Sequence, residues 1–97
     1  MPQFLYKLLP VRPEMPNAPT EAEMEIVGRH FMHLKANCEA GKVKLAGRTT
    51  GEDVFGICVF ESETEDDARA FMESDPAVVE GVMRATLYPF AIALQSL

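Results

Sequence analysis

Two histidines, His30 and His33, stand three residues apart in a segment whose apolar spacing reads as a helix, and far along the chain Asp75 precedes Pro76. An imidazole is the side chain whose charge changes near neutral pH, and a carboxylate that holds one ring nitrogen leaves the other for proton transfer. In that chemistry Asp75 orients His30, and His30 serves as general base or acid towards a small organic molecule. A plainer reading stands beside it. His30 closes the edge of the core through a hydrogen bond, and Asp75 only caps a helix that Pro76 begins, which Asp-Pro does without any further role. His33, three residues further along the same helix, and Arg48, a cation able to pair with an anionic ligand group, are the candidate substrate-binding residues. His30 and His33 with Asp75 could also be set around Zn2+, but helical zinc pairs are usually spaced i, i+4 as in HExxH, so no metal is expected.

Other chemistries lack their residues. No nucleophile elbow, phosphate-cradling glycine loop or dinucleotide fingerprint occurs, so no cofactor is expected. The acidic run Glu61, Glu63, Glu65, Asp66 and Asp67 suits a helix start facing its dipole, and lacks the spacing and glycine of a calcium loop. Tyr6 and Tyr88 fit core or interface packing better than a site. Cys38 and Cys58, with no CxxC near either, read as reduced, buried packing residues of a cytoplasmic chain.

Ninety-seven residues suit one domain, 1–97. A chain of this length buries only about 60–65% of its unfolded surface, so little stability is in reserve. Apolar residues make up 47% and charged residues 25%, an ordinary globular balance. The net charge of −6 opposes nucleic-acid backbones and anionic membranes as partners. The start Met1-Pro2-Gln3-Phe4 lacks the basic and apolar regions of a signal peptide, and no run of about 18 apolar residues is present.

The elements that must position the candidate residues follow from local signals. Gln3 to Leu9 is a short apolar strand bounded by Pro10. Pro10, Pro13, Pro16 and Pro19 form a stiff connection, a better reading than a PxxP ligand. Thr20 and Glu23 make a capping box for a helix from Glu21 to about Ala40, with Gly41 as terminator. Val27, Phe31, Leu34 and Cys38 form its apolar stripe and are expected to face the core. At 100° per residue, His30 lies roughly 70° from the stripe's centre and His33 roughly 130°, so His33 is expected nearer solvent. Strands over Lys42–Gly47 and Val54–Glu61 flank a polar turn. Thr64 and Asp67 start a second helix ending near Ser74, and Asp75-Pro76 start a further helical turn that Gly81 ends. A last strand from Val82 to Leu94 contains Pro89, which points to a sheet edge or a bulge.

Strand, helix, strand, strand, helix, strand is the split βαβ order, giving an α+β, ferredoxin-like fold with an antiparallel four-stranded sheet. Two helices cover one face of such a sheet, yet the third and fourth strands are apolar on both. The expected cover is the same sheet of a second copy, a homodimer closed as a dimeric α/β barrel.

The segments His30-Phe31-Met32-His33-Leu34, Glu39-Ala40-Gly41-Lys42 and Leu45-Ala46-Gly47 resemble the HxxHL, EAGK and LAG patterns of the YCII-related proteins. Gly56 to Glu61, Glu65 to Met72, Ser74-Asp75-Pro76 and Leu87-Tyr88-Pro89-Phe90 continue that family's order. The resemblance implies the same fold and homodimer, and a polar cleft lined by His30 and Asp75. His33 matches the second histidine of some members. Arg48 stands where many relatives have proline and adds a cation near the cleft mouth. Most members have no established reaction, while a few are described as dechlorinating or acid–base enzymes acting on small hydroxylated rings. The expected function is acid–base chemistry on a small cyclic or hydroxylated molecule; the alternatives are a non-catalytic ligand- or partner-binding module, or a purely structural dimer.

Overall fold

The computed structural model describes residues 1–96. In chain order it contains β1 (Gln3–Pro10), α1 (Glu21–Glu39), β2 (Val43–Arg48), β3 (Gly56–Glu61), α2 (Glu65–Glu73), the short α3 (Pro76–Val79) and β4 (Met83–Phe90). The strands form one antiparallel sheet in the order β2-β3-β1-β4. This is the ferredoxin-like α+β arrangement, with α3 as an added turn before the last strand. No described helix is long and apolar enough to cross a membrane.

Local capping sets the helix limits. Thr20 Oγ1 accepts from the Glu23 amide at 3.1 Å while the Thr20 amide donates to Glu23 Oε1 at 2.9 Å, closing the capping box. The Asp67 amide donates to Thr64 Oγ1 at 3.0 Å at the start of α2. Gly41 and Gly81 follow α1 and α3 with φ of 86° and 74°, a conformation that side chains rarely adopt. Pro10 to Pro19 forms a pinned connection, with Met15 buried beneath it and Arg12 donating twice to Glu23.

β1 is central and alternates. Phe4, Tyr6 and Leu8 point to the helices, where they meet Cys58 and Phe60 of β3 and Leu34, Ala68 and Met72 of α1 and α2 to form the core. Phe60 and Phe71 lie with ring centroids 4.8 Å apart, and Tyr6 meets Phe60 edge-on at 5.6 Å. On the opposite face Leu45, Val59, Leu5 and Tyr88 form one apolar row across all four strands. Leu45 and Tyr88 are 57% and 46% exposed there.

Several boundaries differ from the sequence expectation. β3 begins at Gly56 rather than Val54, because Thr49 closes the preceding loop by pairing with Phe55 through both its amide and its hydroxyl. β4 ends at Phe90 rather than Leu94, since its partner β1 begins opposite, at Gln3. Pro89 does lie on an edge strand.

The largest difference concerns α1. Leu34 is its buried residue, and the half-buried positions are Glu23, Ile26, Val27, His30, His33 and Asn37, while Phe31 is 62% exposed and Cys38 is exposed. His30 is tied inward to Asp75 and His33 lies against Phe71, which rotates the helix away from the expected stripe. Cys58 is buried as expected; Cys38 is not.

Candidate functional site

The site begins with Asp75. Its position as N-cap of α3, with Pro76 at the first helical position, turns the carboxylate inward, where Oδ1 accepts from the Ala77 amide at 2.9 Å. The same Oδ1 lies 2.7 Å from His30 Nδ1, and Oδ2 accepts from the Tyr6 hydroxyl at 2.7 Å. Asp75 is fully buried, so every bond to it acts without competing water. Three elements distant in sequence therefore converge on one carboxylate: α1 through His30, β1 through Tyr6, and α3 through its own first turn.

Burial by itself pushes the Asp75 carboxyl up, but the bonds from His30, Tyr6 and Ala77 outweigh it and hold the group below its ordinary value. Burial, together with Cys58 and Asp75, pushes the Tyr6 phenol far up, so Tyr6 is a proton-bearing donor. An ionised Asp75 has no proton to give, so the hydrogen between Asp75 and His30 sits on Nδ1. The neutral ring then carries its lone pair on Nε2. Fixing the tautomer this way is what a carboxylate–imidazole pair does for proton transfer.

His30 lines a cleft of about 570 Å3 between α1 and the β3–β2 half of the sheet. The cleft exists because of side-chain size. Two rows of the helix-facing surface run Tyr6–Cys58–Ala46 and Leu8–Gly56–Arg48, and on their outer half Ala46 and Gly56 leave the floor low. Of the α1 stripe expected in the core, Leu34 is there and also borders the cleft, while Val27, Phe31 and Cys38 form the opposite wall. The lining is mostly apolar, with charge contributed by Lys35, Glu39 and Arg48.

The candidate residues thus separate. His30 and Asp75 are hydrogen-bonded, and Arg48 lies in the same cleft as the last residue of β2 rather than in a loop. His33 does not line it. Its ring stacks on Phe71 at 5.5 Å on the α2 side, and its Nε2 is buried without a partner. The set His30, His33 and Asp75 is accordingly not gathered about one point, and no group of three metal-binding side chains occurs among the described residues. Tyr6, expected in core or interface packing, is in the core, and its hydroxyl also reaches the site carboxylate, a role not expected of it. The signal was available: Tyr6 alternates with Phe4 and Leu8 on an apolar strand, and a buried tyrosine hydroxyl needs a polar partner.

No protein-family model matches the sequence, and no curated protein matches it. Among solved structures, 5-chloro-2-hydroxyhydroquinone dehydrochlorinase from Burkholderia phenoliruptrix AC1100, in complex with 2,5-dihydroxybenzoquinone, is similar with a TM-score of 0.70 and 16% sequence identity. The similarity covers 92% of this chain and 93% of that one, and it establishes the shared fold.

Proposed function

We propose that this chain is a YCII-like, cytoplasmic, homodimeric protein that carries out acid–base chemistry on a small cyclic or hydroxylated organic molecule. The observation that carries the reading is the 2.7 Å contact between His30 Nδ1 and the fully buried Asp75, on an imidazole that opens into the cleft. In this reading Nε2 of His30 removes a proton from a ring hydroxyl or an adjacent carbon and returns it as general acid. Asp75 orients the ring and stabilises the imidazolium that forms. Tyr6 holds Asp75 in place. Arg48 sits where it can contact the substrate; His33, stacked away from the cleft, has at most an indirect part in binding.

The cleft falls in the usual range of about 300–1,000 Å3 for small-molecule sites, and a mostly apolar wall with few polar groups suits a ring. That a similar fold acts on a chlorinated hydroxyhydroquinone adds support for a hydroxylated ring as the substrate class. The exposed ends of the row Leu45–Val59–Leu5–Tyr88, Leu45 on β2 and Tyr88 on β4, support the homodimer, since a second sheet laid there would remove both from water; Val59 is already buried and Leu5 half-buried.

Turnover of hydroxylated and chlorinated hydroxylated rings, followed by ultraviolet absorbance and chloride release, tests the reading. The intact protein is expected to convert at least one such ring, and His30→Ala to lose that conversion by a factor of about 100 to 10,000. Equal rates in His30→Ala would refute it. Ring binding that responds to His30→Ala with no conversion by either form would instead favour a non-catalytic ligand-binding module, which the largely apolar lining also suits.

A further inference from the structure

Arg48 is the cleft residue whose charge is left without a counterpart. Lys35 lies 3.6 Å from Glu39 on the same wall, whereas among the described residues Arg48 makes no ion pair and no side-chain hydrogen bond. Its placement is set by register. Arg48 pairs with Gly56, which pairs with Leu8, so the three form one row across β2, β3 and β1. Two strand spacings put the backbone of Arg48 about 10 Å from that of Leu8. Gly56 contributes no side chain in between, and a Cβ there would come within 3.7 Å of Leu8 and 3.4 Å of the Gly47 carbonyl. A flat ring can therefore lie over Gly56 and Ala46, beneath Phe31 and Leu34, with His30 at one end and Arg48 at the other.

We propose that Arg48 selects a planar ring bearing a carboxylate, so that the preferred ligand is a hydroxylated aromatic or unsaturated cyclic acid whose carboxylate meets the guanidinium while the ring reaches His30. The inference rests on the cleft reading above and adds the ligand's charge to it. A guanidinium presents a planar fork of donors that matches a carboxylate with two parallel bonds. The chain as a whole is acidic, with a net charge of −6, so an anionic ligand is repelled everywhere except where a local cation is exposed. The apolar wall supplies contact with the ring, and Arg48 supplies discrimination against rings of the same shape without the acid.

The test titrates full-length 15N-labelled protein with 4-hydroxybenzoate and with 4-hydroxybenzyl alcohol, a neutral ring of similar size, following the amides of Ala46, Gly47 and Gly56. The acid is expected to bind about tenfold tighter than the alcohol, as one charge-assisted contact at an accessible site provides. Arg48→Met should bring the two affinities together, and Arg48→Lys should restore part of the difference. Because Arg48 is exposed, both variants are expected to keep the amide spectrum of the native fold. Equal binding of the two probes by the unaltered protein, or a preference for the acid that survives Arg48→Met, overturns the role of Arg48 while leaving the cleft reading intact. If neither probe moves the cleft amides, the selection of a ring carboxylate by Arg48 is overturned, while the cleft reading is decided separately by the turnover assay.

Discussion

Replacing Tyr6 by phenylalanine tests the architecture of the site without touching the cleft. The phenyl ring keeps the packing against Phe60 and Phe71, but the 2.7 Å bond to Asp75 Oδ2 disappears and leaves that oxygen buried without a partner. Hydrogen bonds to charged groups contribute about 1.5–3 kcal/mol, and removing one partner from a buried acceptor exposes most of that, so a loss of about 2 kcal/mol is expected. For 97 residues at about 2.1 cal/mol/K each, the unfolding entropy is about 0.2 kcal/mol/K, and the melting temperature should fall by about 10 °C.

The loss should also depend on pH. Asp75 is held below its ordinary value of 3.8, so its ionisation contributes stability above that value, and the contribution is lost as pH falls through the lower folded value. The Tyr6 bond is one cause of that lowering, so Tyr6→Phe should raise the folded value and shrink the contribution. The gap between the two proteins should be widest at neutral pH and narrow in acid. Urea unfolding followed by far-ultraviolet circular dichroism at fixed protein concentration, from pH 7 down to about 3, measures it. A difference below about 0.5 kcal/mol at pH 7 would refute the account of Asp75 as a buried anion held by three donors.

Two further outcomes are expected. Leu45→Glu, at the exposed β2 end of the apolar row, should convert a homodimer into a monomer in sedimentation at micromolar concentration; an unaltered chain that is already monomeric there would remove the dimer proposal. Cys38 is exposed whereas burial pushes the Cys58 thiol up to about 12, so a thiol reagent at pH 8 should modify one cysteine in the native protein and two in denaturant, and modification of both at equal rates would contradict this burial.

What the amino-acid order determined by itself was local. Thr20 with Glu23, Thr64 with Asp67, and Asp75 before Pro76 mark helix starts because each cap bonds an amide only two or three residues away. Gly41 and Gly81 mark helix ends because their backbones alone take the left-handed turn without strain. The strand alternation of Phe4, Tyr6 and Leu8, and the placing of Pro89 at an edge, follow from the same short-range chemistry. The tertiary structure decided which helix face is buried and which groups meet. An amphipathic pattern says only that α1 has an apolar stripe; whether that stripe enters the core or walls a cleft depends on what lies beneath it. Here Asp75 draws His30 inward from 45 residues away, and small residues at Ala46 and Gly56 leave nothing for Phe31 to pack upon. Tyr6 meets Asp75 across 69 residues, a contact that no spacing encodes, because only the crossover from β1 through the helices to β4 brings the first strand beside that carboxylate.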